Sequence, residues 1–215
     1  MQKKAEMEAS MPECLRGLEH ISRFWDKRHN TFSAKILPGE YYVSMHGELI
    51  STVLGSCISA CIRDKKMGIG GMNHFMLPMG CEDEHAGKIH LTSATRYGNF
   101  AMEMLINEIL KAGGSRKNLE VKLFGGGRVL SSMTKMDIGK KNINFVHEYL
   151  EEEGLKIIAE DMGDIYPRKV LFFADTGKVR VKKLQNMHNE TIKQREENYR
   201  KSIDEQPVQS DIELF

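Results

Sequence analysis

Three short apolar runs follow one another through residues 47–77, GELISTVLGSC, ISACIRD and GIGGMNHFML, with glycine or charge at their joints. Each is too short for a core helix, and Val, Ile and Cys are prominent in them, so strands are the favoured reading. The expected arrangement is a mixed α/β one, with strands grouped around two main helices.

Helical spacing supplies those two helices. SATRYGNFAMEMLINEILK predicts a helix over Ser93–Lys111, with Phe100, Met104, Ile106 and Leu110 on its buried face and Gly113-Gly114 ending it. A second helix is expected over residues 138–153, carrying Phe145, Val146, Tyr149 and Leu150 and stopping at Gly154. Further strands are read in KILPGEYYVS, after a Pro-Gly turn, in LEVKLF before a triple glycine, and in LKIIAED. KVLFFADTGKVRVKKL reads as a hairpin turning at Asp175-Thr176-Gly177. Near the start, LRGLEHISRFWDKRHN reads as a short amphipathic helix, fastened to the domain by Phe24 and Trp25. Beyond Leu184 the chain is charged and poor in apolar residues, which predicts a solvated helix and a loose end. The expected organisation is a polar extension over residues 1–35, a mixed α/β domain over 36–184 and a charged tail over 185–215.

The chain's 31 basic and 30 acidic residues leave a net charge of +1, which gives no field for nucleic acid. No apolar run approaches the ~20 residues that span a bilayer, and the start, MQKKAEMEASMPE, lacks a secretory apolar core. A soluble, cytoplasmic protein without direct membrane insertion is expected, with Cys14, Cys57, Cys61 and Cys81 as reduced thiols. Cys81 and His85 add metal-ligand types near Cys57 and Cys61, but no C-x2-C pair is present and structural zinc is disfavoured.

Cys57, in the Gly-Ser turn, and His74 stand 17 residues apart on successive apolar runs. A two-residue turn at Lys65-Lys66 would set them directly opposite, with Cβ atoms about 4.5–5.5 Å apart. Chemistry at Cys57 requires the thiolate, which His74 would stabilise as an ion pair before protonating a leaving group. Backbone N–H groups around Ser56 and Cys57 would approach an oxyanion closely. Core filling is the blander alternative for both residues: a Cys in an apolar strand is most often a small buried hydrophobe, and Cys61 fits that description better than Cys57. Residue pattern alone leaves both readings open.

VLGSCISACIRD, GIGGMNHFMLP and KLFGGG, with ILPGEYYV upstream, resemble the CheD family of chemoreceptor glutamine deamidases over about residues 24–183. The resemblance implies an α/β sandwich of layered, mixed or antiparallel sheets with flanking helices, like the catalytic domain of the cytotoxic necrotising factor toxins. Cys57 matches the nucleophile of the family's G-S-C motif and His74 its acid/base. The family's orienting hydroxyl falls on Ser51, six residues before the cysteine, with Thr52 as the neighbouring alternative. The activity implied is conversion of receptor glutamine to glutamate through a Cys57 thioester, in chemotactic adaptation, with no cofactor or metal. Some members also hydrolyse glutamyl methyl esters.

The partners implied are the cytoplasmic helices of methyl-accepting chemotaxis receptors and, in some bacteria, a CheC-like phosphatase. The second class of function is thus a non-catalytic receptor-binding adaptor that regulates such a phosphatase. FGGGRVL lacks the Gly-Lys-Ser/Thr of a phosphate loop and is expected as a tight turn near the substrate cleft. CEDEHAGKIH, with His85 and His90, is expected to border that cleft. A depressed Cys57 pKa would make this thiol react with iodoacetamide faster than Cys14 or Cys81.

Overall fold

A computed structural model describes residues 10–78, 93–129, 137–185 and 190–205. The expected loop with Cys81, His85 and His90 lies outside these residues. Among the described residues, ten strands form two five-stranded mixed sheets, and three helices accompany them. The strands are β1 Ser22–Asp26, β2 Thr31–Lys35, β3 Tyr41–Ser44, β4 Leu49–Leu54, β5 Ile58–Asp64, β6 Gly70–Asn73, β7 Leu119–Gly125, β8 Ile157–Met162, β9 Arg168–Phe173 and β10 Lys178–Lys183. The helices are α1 Ser93–Lys111, α2 Ile138–Glu152 and α3 Glu190–Glu205. One sheet runs β1-β2-β4-β9-β10 and the other β3-β6-β5-β7-β8. The architecture is the layered α/β sandwich expected from the sequence.

Strand parity explains the layers. In β5, Ile58, Ala60 and Ile62 face α1 and α2 across one core, while Cys61, one step out of phase, packs in the other. That second core lies between the sheets, where Ile50, Leu54, Val170 and Phe172 meet Tyr42, Met72 and Phe124. Sheet packs on sheet, and the two helices cover the far side of the second sheet.

Helix α1 has the expected bounds, but its buried face is turned. Met102, Leu105, Ile106 and Ile109 enter the core, whereas Phe100 is 52% exposed. The i, i+3, i+4, i+7 stripe starting at Met102 is the one that fits a helix lying on a sheet. Helix α2 buries Phe145, Val146, Tyr149 and Leu150 as expected.

Two local expectations change. The segment read as an N-terminal helix, residues 15–30, instead holds turns, strand β1 and the turn that leads into β2. The Asp26 carboxylate accepts from the N–H groups of Arg28 and His29, and Asn30 takes a left-handed φ of 51°. Trp25 meets Phe32 edge-on across the strands at 5.0 Å, Phe24 points outward, and β2 continues the sheet in parallel with β4. Cross-strand pairing outweighs a weak helical pattern.

The β5–β6 register also differs. Cys61 pairs with Met72 and Ile62 with Gly71, and an isolated bridge joins Ile58 to Phe75, so His74 is not directly opposite Cys57. The turn spans residues 65–68 because Asp64 Oδ1 accepts from the N–H groups of Lys66 and Met67 and Gly68 N–H donates to the Asp64 carbonyl. The turn is two residues longer than Lys65-Lys66 alone, so the register slips by two. An even slip preserves the face, and Cys57 and His74 remain diagonal neighbours on it.

Candidate active site

The turn Gly55-Ser56-Cys57 carries the chain from β4 in the first sheet to β5 in the second, placing Cys57 where the inter-sheet core ends. Three supports hold it. Gly126 N–H donates to the Cys57 carbonyl at 2.8 Å, and Gly127 N–H to the Gly55 carbonyl at 2.7 Å. Asn142 of α2, fully buried, donates through Nδ2 to the Ser56 carbonyl at 2.9 Å and accepts through Oδ1 from Leu77 N–H. The triple glycine is therefore a buttress: Gly125 has φ +117°, and a Cβ there would stand 2.1 Å from the Cys57 carbonyl oxygen. Arg168, wholly buried, donates to the Gly125 and Gly163 carbonyls and fixes the loop from behind.

His74 follows the end of β6, its backbone clamped by the Pro38-Gly39 turn: Gly39 N–H donates to its carbonyl, and its own N–H to the Glu40 carbonyl. Its Nδ1 lies 2.8 Å from Thr52 Oγ1, which also donates to the Ile36 carbonyl at 2.9 Å. A carbonyl can only accept, so the hydroxyl spends its proton there and must accept from His74 Nδ1–H. That fixes the tautomer: Nε2 carries the lone pair, and it is buried without a hydrogen-bond partner.

Ser51, the expected orienting residue, does not reach His74. Its hydroxyl donates to the Ala34 carbonyl instead. Thr52 shares parity with the inward Ile50 and Leu54, and Ser51 points to the other face. The hydroxyl that meets the imidazole is that of Thr52.

A residue no sequence pattern nominated completes the site. Glu196 of α3, 2% exposed, brings its carboxylate onto the turn. Oε1 accepts from Gly55 N–H at 2.8 Å and Cys57 N–H at 3.2 Å; Oε2 accepts from Ser56 N–H at 2.9 Å and Ser56 Oγ at 2.7 Å. The tail helix is thus not solvated all round. The available signal was a charged residue standing in the apolar stripe Ile192, Tyr199, Ile203 at helical spacing.

Ligand atoms of Cys57, His74 and Glu196 lie within 4.8 Å of one another. These are metal-ligand types, but each carboxylate oxygen already accepts two hydrogen bonds and has no lone pair left to give. The residues as arranged do not fit a metal.

Burial, and then the adjacent Glu196 carboxylate, push the Cys57 thiol well above its ordinary range. Burial holds the His74 imidazole down, to about 3. Both directions favour a neutral thiol beside a neutral imidazole over an ion pair. Cys57 is wholly enclosed while Cys14 is partly exposed, and Cys81 lies outside the described residues.

This geometry, a cysteine and a histidine beside converging backbone N–H donors, suits acyl transfer. A profile of the family described as CheD chemotactic sensory transduction matches residues 76–183. The chain belongs to the CheD family. A protein of Halorhodospira halophila is 55% identical over 207 residues, 96% of this chain and 95% of its own. One of Methylobacillus flagellatus is 54% identical over 192 residues, covering 89% and 94% of the two chains. One of Hahella chejuensis is 50% identical over 205 residues, 95% of each. All three bear the name "Probable chemoreceptor glutamine deamidase CheD". As in the family name, the setting is chemotaxis; no helix among the described residues is long and apolar enough to cross a membrane.

Proposed function

We propose that this CheD-family chain deamidates glutamine side chains of chemoreceptors through a Cys57 thioester. The observation that carries the reading is the convergence of the Gly55, Ser56 and Cys57 N–H groups beside a thiol and an imidazole of fixed tautomer. Cys57 Sγ attacks the side-chain amide carbon of the receptor glutamine, and the oxyanion takes the place between those N–H groups. His74 Nε2 accepts the thiol proton and delivers it to the amide nitrogen, so that the C–N bond breaks and ammonia leaves. Water then adds to the thioester with His74 as base, giving glutamate and restoring the thiol. Thr52 acts as a positioning residue, holding Nδ1–H so that Nε2 stays available. A glutamyl methyl ester enters the same sequence with methanol as leaving group.

The substrate lies on the cytoplasmic part of the receptor, and this chain works there. Enclosure of Cys57 also suits a second reading, a non-catalytic adaptor that binds receptor and regulates a CheC-like phosphatase. Peptide mass spectrometry of a receptor cytoplasmic fragment treated with wild type, Cys57→Ala and His74→Ala separates the two. Conversion at discrete glutamines by wild type, absent with Cys57→Ala and slowed about 10²–10⁴-fold with His74→Ala, is expected. Receptor binding without conversion by wild type would favour the adaptor.

A further inference from the structure

The deamidase reading leaves one contact unexplained: a glutamate of the chain's own helix fills the anion-binding turn beside the nucleophile. Four donors from Gly55, Ser56 and Cys57 satisfy its carboxylate. Burying a carboxylate without a cation is tolerated only when such donors surround it. Those N–H groups are also the ones the reaction needs for its oxyanion. A helix-borne glutamate carboxylate is, in chemical terms, the reaction product.

The rest of α3 seats accordingly. Ile192, Glu196, Tyr199 and Ile203 stand four, three and four residues apart on one face, with both isoleucines buried. The Tyr199 hydroxyl meets that of Tyr97 of α1. Its ring lies so close over Gly39 that a Cβ there would be 2.8 Å from it. Small cavities flank the seat on both sides of His74, one against Ile192 and Arg195, the other between Tyr41, Tyr97 and Phe100. With the helix in place the Cys57 thiol is enclosed, and a substrate glutamine cannot reach it.

We propose that α3 occupies the substrate helix's seat in product-like register. The site then takes a receptor helix with an apolar or aromatic side chain four residues before the target glutamine and three and seven after it, and α3 competes with that helix. This rests on the deamidase reading, yet it fails separately from it.

The register has a direct chemical consequence. In the full chain carrying Glu196→Gln, the substituted amide lies against Cys57. The C–N bond is replaced by a C–S bond with loss of ammonia, and water then returns the carboxylate and the thiol. Peptide mass spectrometry is expected to find glutamate at this position in the purified protein, and glutamine retained when Cys57→Ala is combined with it. Alongside, Cys57 alkylation by iodoacetamide is timed in wild type, Glu196→Ala and Tyr199→Ala, with circular dichroism to verify folding. At least tenfold faster alkylation in the two variants, and faster receptor conversion by them, are expected. Receptor conversion by wild type together with retained glutamine in Glu196→Gln would overturn the product-like register. Equal alkylation rates in all three proteins would overturn the seating of α3. Faster alkylation in the variants, with no receptor conversion by any protein, would uphold the seating and remove the deamidase reading beneath it.

Discussion

Thr52 Oγ1 has one proton, and the Ile36 carbonyl receives it. His74 Nδ1–H therefore has an acceptor 2.8 Å away that no rotation of the hydroxyl can turn into a donor without breaking the first bond. Removing that acceptor lets the imidazole hold its proton on either nitrogen, and the Nε2-protonated form cannot take the thiol proton. Thr52→Val, nearly isosteric, is expected to lower kcat for receptor deamidation by about 10²-fold with little change in KM. Ser51→Ala is expected to stay within about twofold of wild type, because its hydroxyl bonds only to the Ala34 carbonyl. Steady-state ammonia release measures both. Sequence reading named Cys57 and His74 because a thiol and an imidazole are chemically conspicuous. It placed the orienting hydroxyl on Ser51 with Thr52 as the alternative, and nothing local could correct that, because β4 is buried on both faces: Leu49 is as buried as Ile50, so parity does not mark the inner face.

At the scale of elements, the turn that carries Cys57 owes its shape to parts remote in sequence. The triple-glycine loop, Arg168 of β9 and Asn142 of α2 each bond to it or to the loop behind it. Asn142→Ala would remove the partners of the buried Ser56 carbonyl and the partly buried Leu77 N–H, an expected loss of about 1–3 kcal/mol in urea unfolding. Gly125→Ala adds a Cβ at φ +117° against the Cys57 carbonyl and is expected to displace the turn. Its activity loss should therefore exceed that of Asn142→Ala. Helices α1 and α2 were legible because each has helical spacing and a glycine stop. The β1–β2 hairpin was not, since parallel pairing with β4 supports it and no local pattern records such a partner. The slipped β5–β6 register has a similar cause, an Asp64 side chain that captures two backbone N–H groups. The role of α3 was illegible because its stripe holds few apolar residues, and its buried glutamate reads as one more surface charge.

For the whole molecule, enclosing His74 beside Cys57 has a cost that depends on pH. His74 is buried neutral, with a folded pKa near 3 against 6.5 when exposed. Between these values the unfolded chain binds the extra proton, so stability falls as pH drops below about 6.5 and the loss is complete near 3. Asp64 adds to this at lower pH. Burial alone would raise its pKa, but hydrogen bonds from Met67, Ser115, Lys66 and Asn118 outweigh that and bring it to about 2. Its contribution is present above 3.8 and is lost as pH falls through 2. Thermal unfolding between pH 7 and pH 4 is expected to show a steeper fall in Tm for wild type than for His74→Gln, which has no such proton to bind.

The central claim is that receptor glutamine passes through a thioester on Cys57, and partitioning with hydroxylamine tests it most directly. A receptor cytoplasmic fragment is incubated with wild-type protein and increasing hydroxylamine, and its peptides are weighed. If a Cys57 thioester forms, the converted glutamines are expected to divide between glutamate and the glutamyl hydroxamate, one oxygen heavier than the starting amide. The hydroxamate share should rise with hydroxylamine, and neither product should form with Cys57→Ala. Glutamate formed at an undiminished rate with no hydroxamate at any concentration, or conversion that persists in Cys57→Ala, would contradict the account.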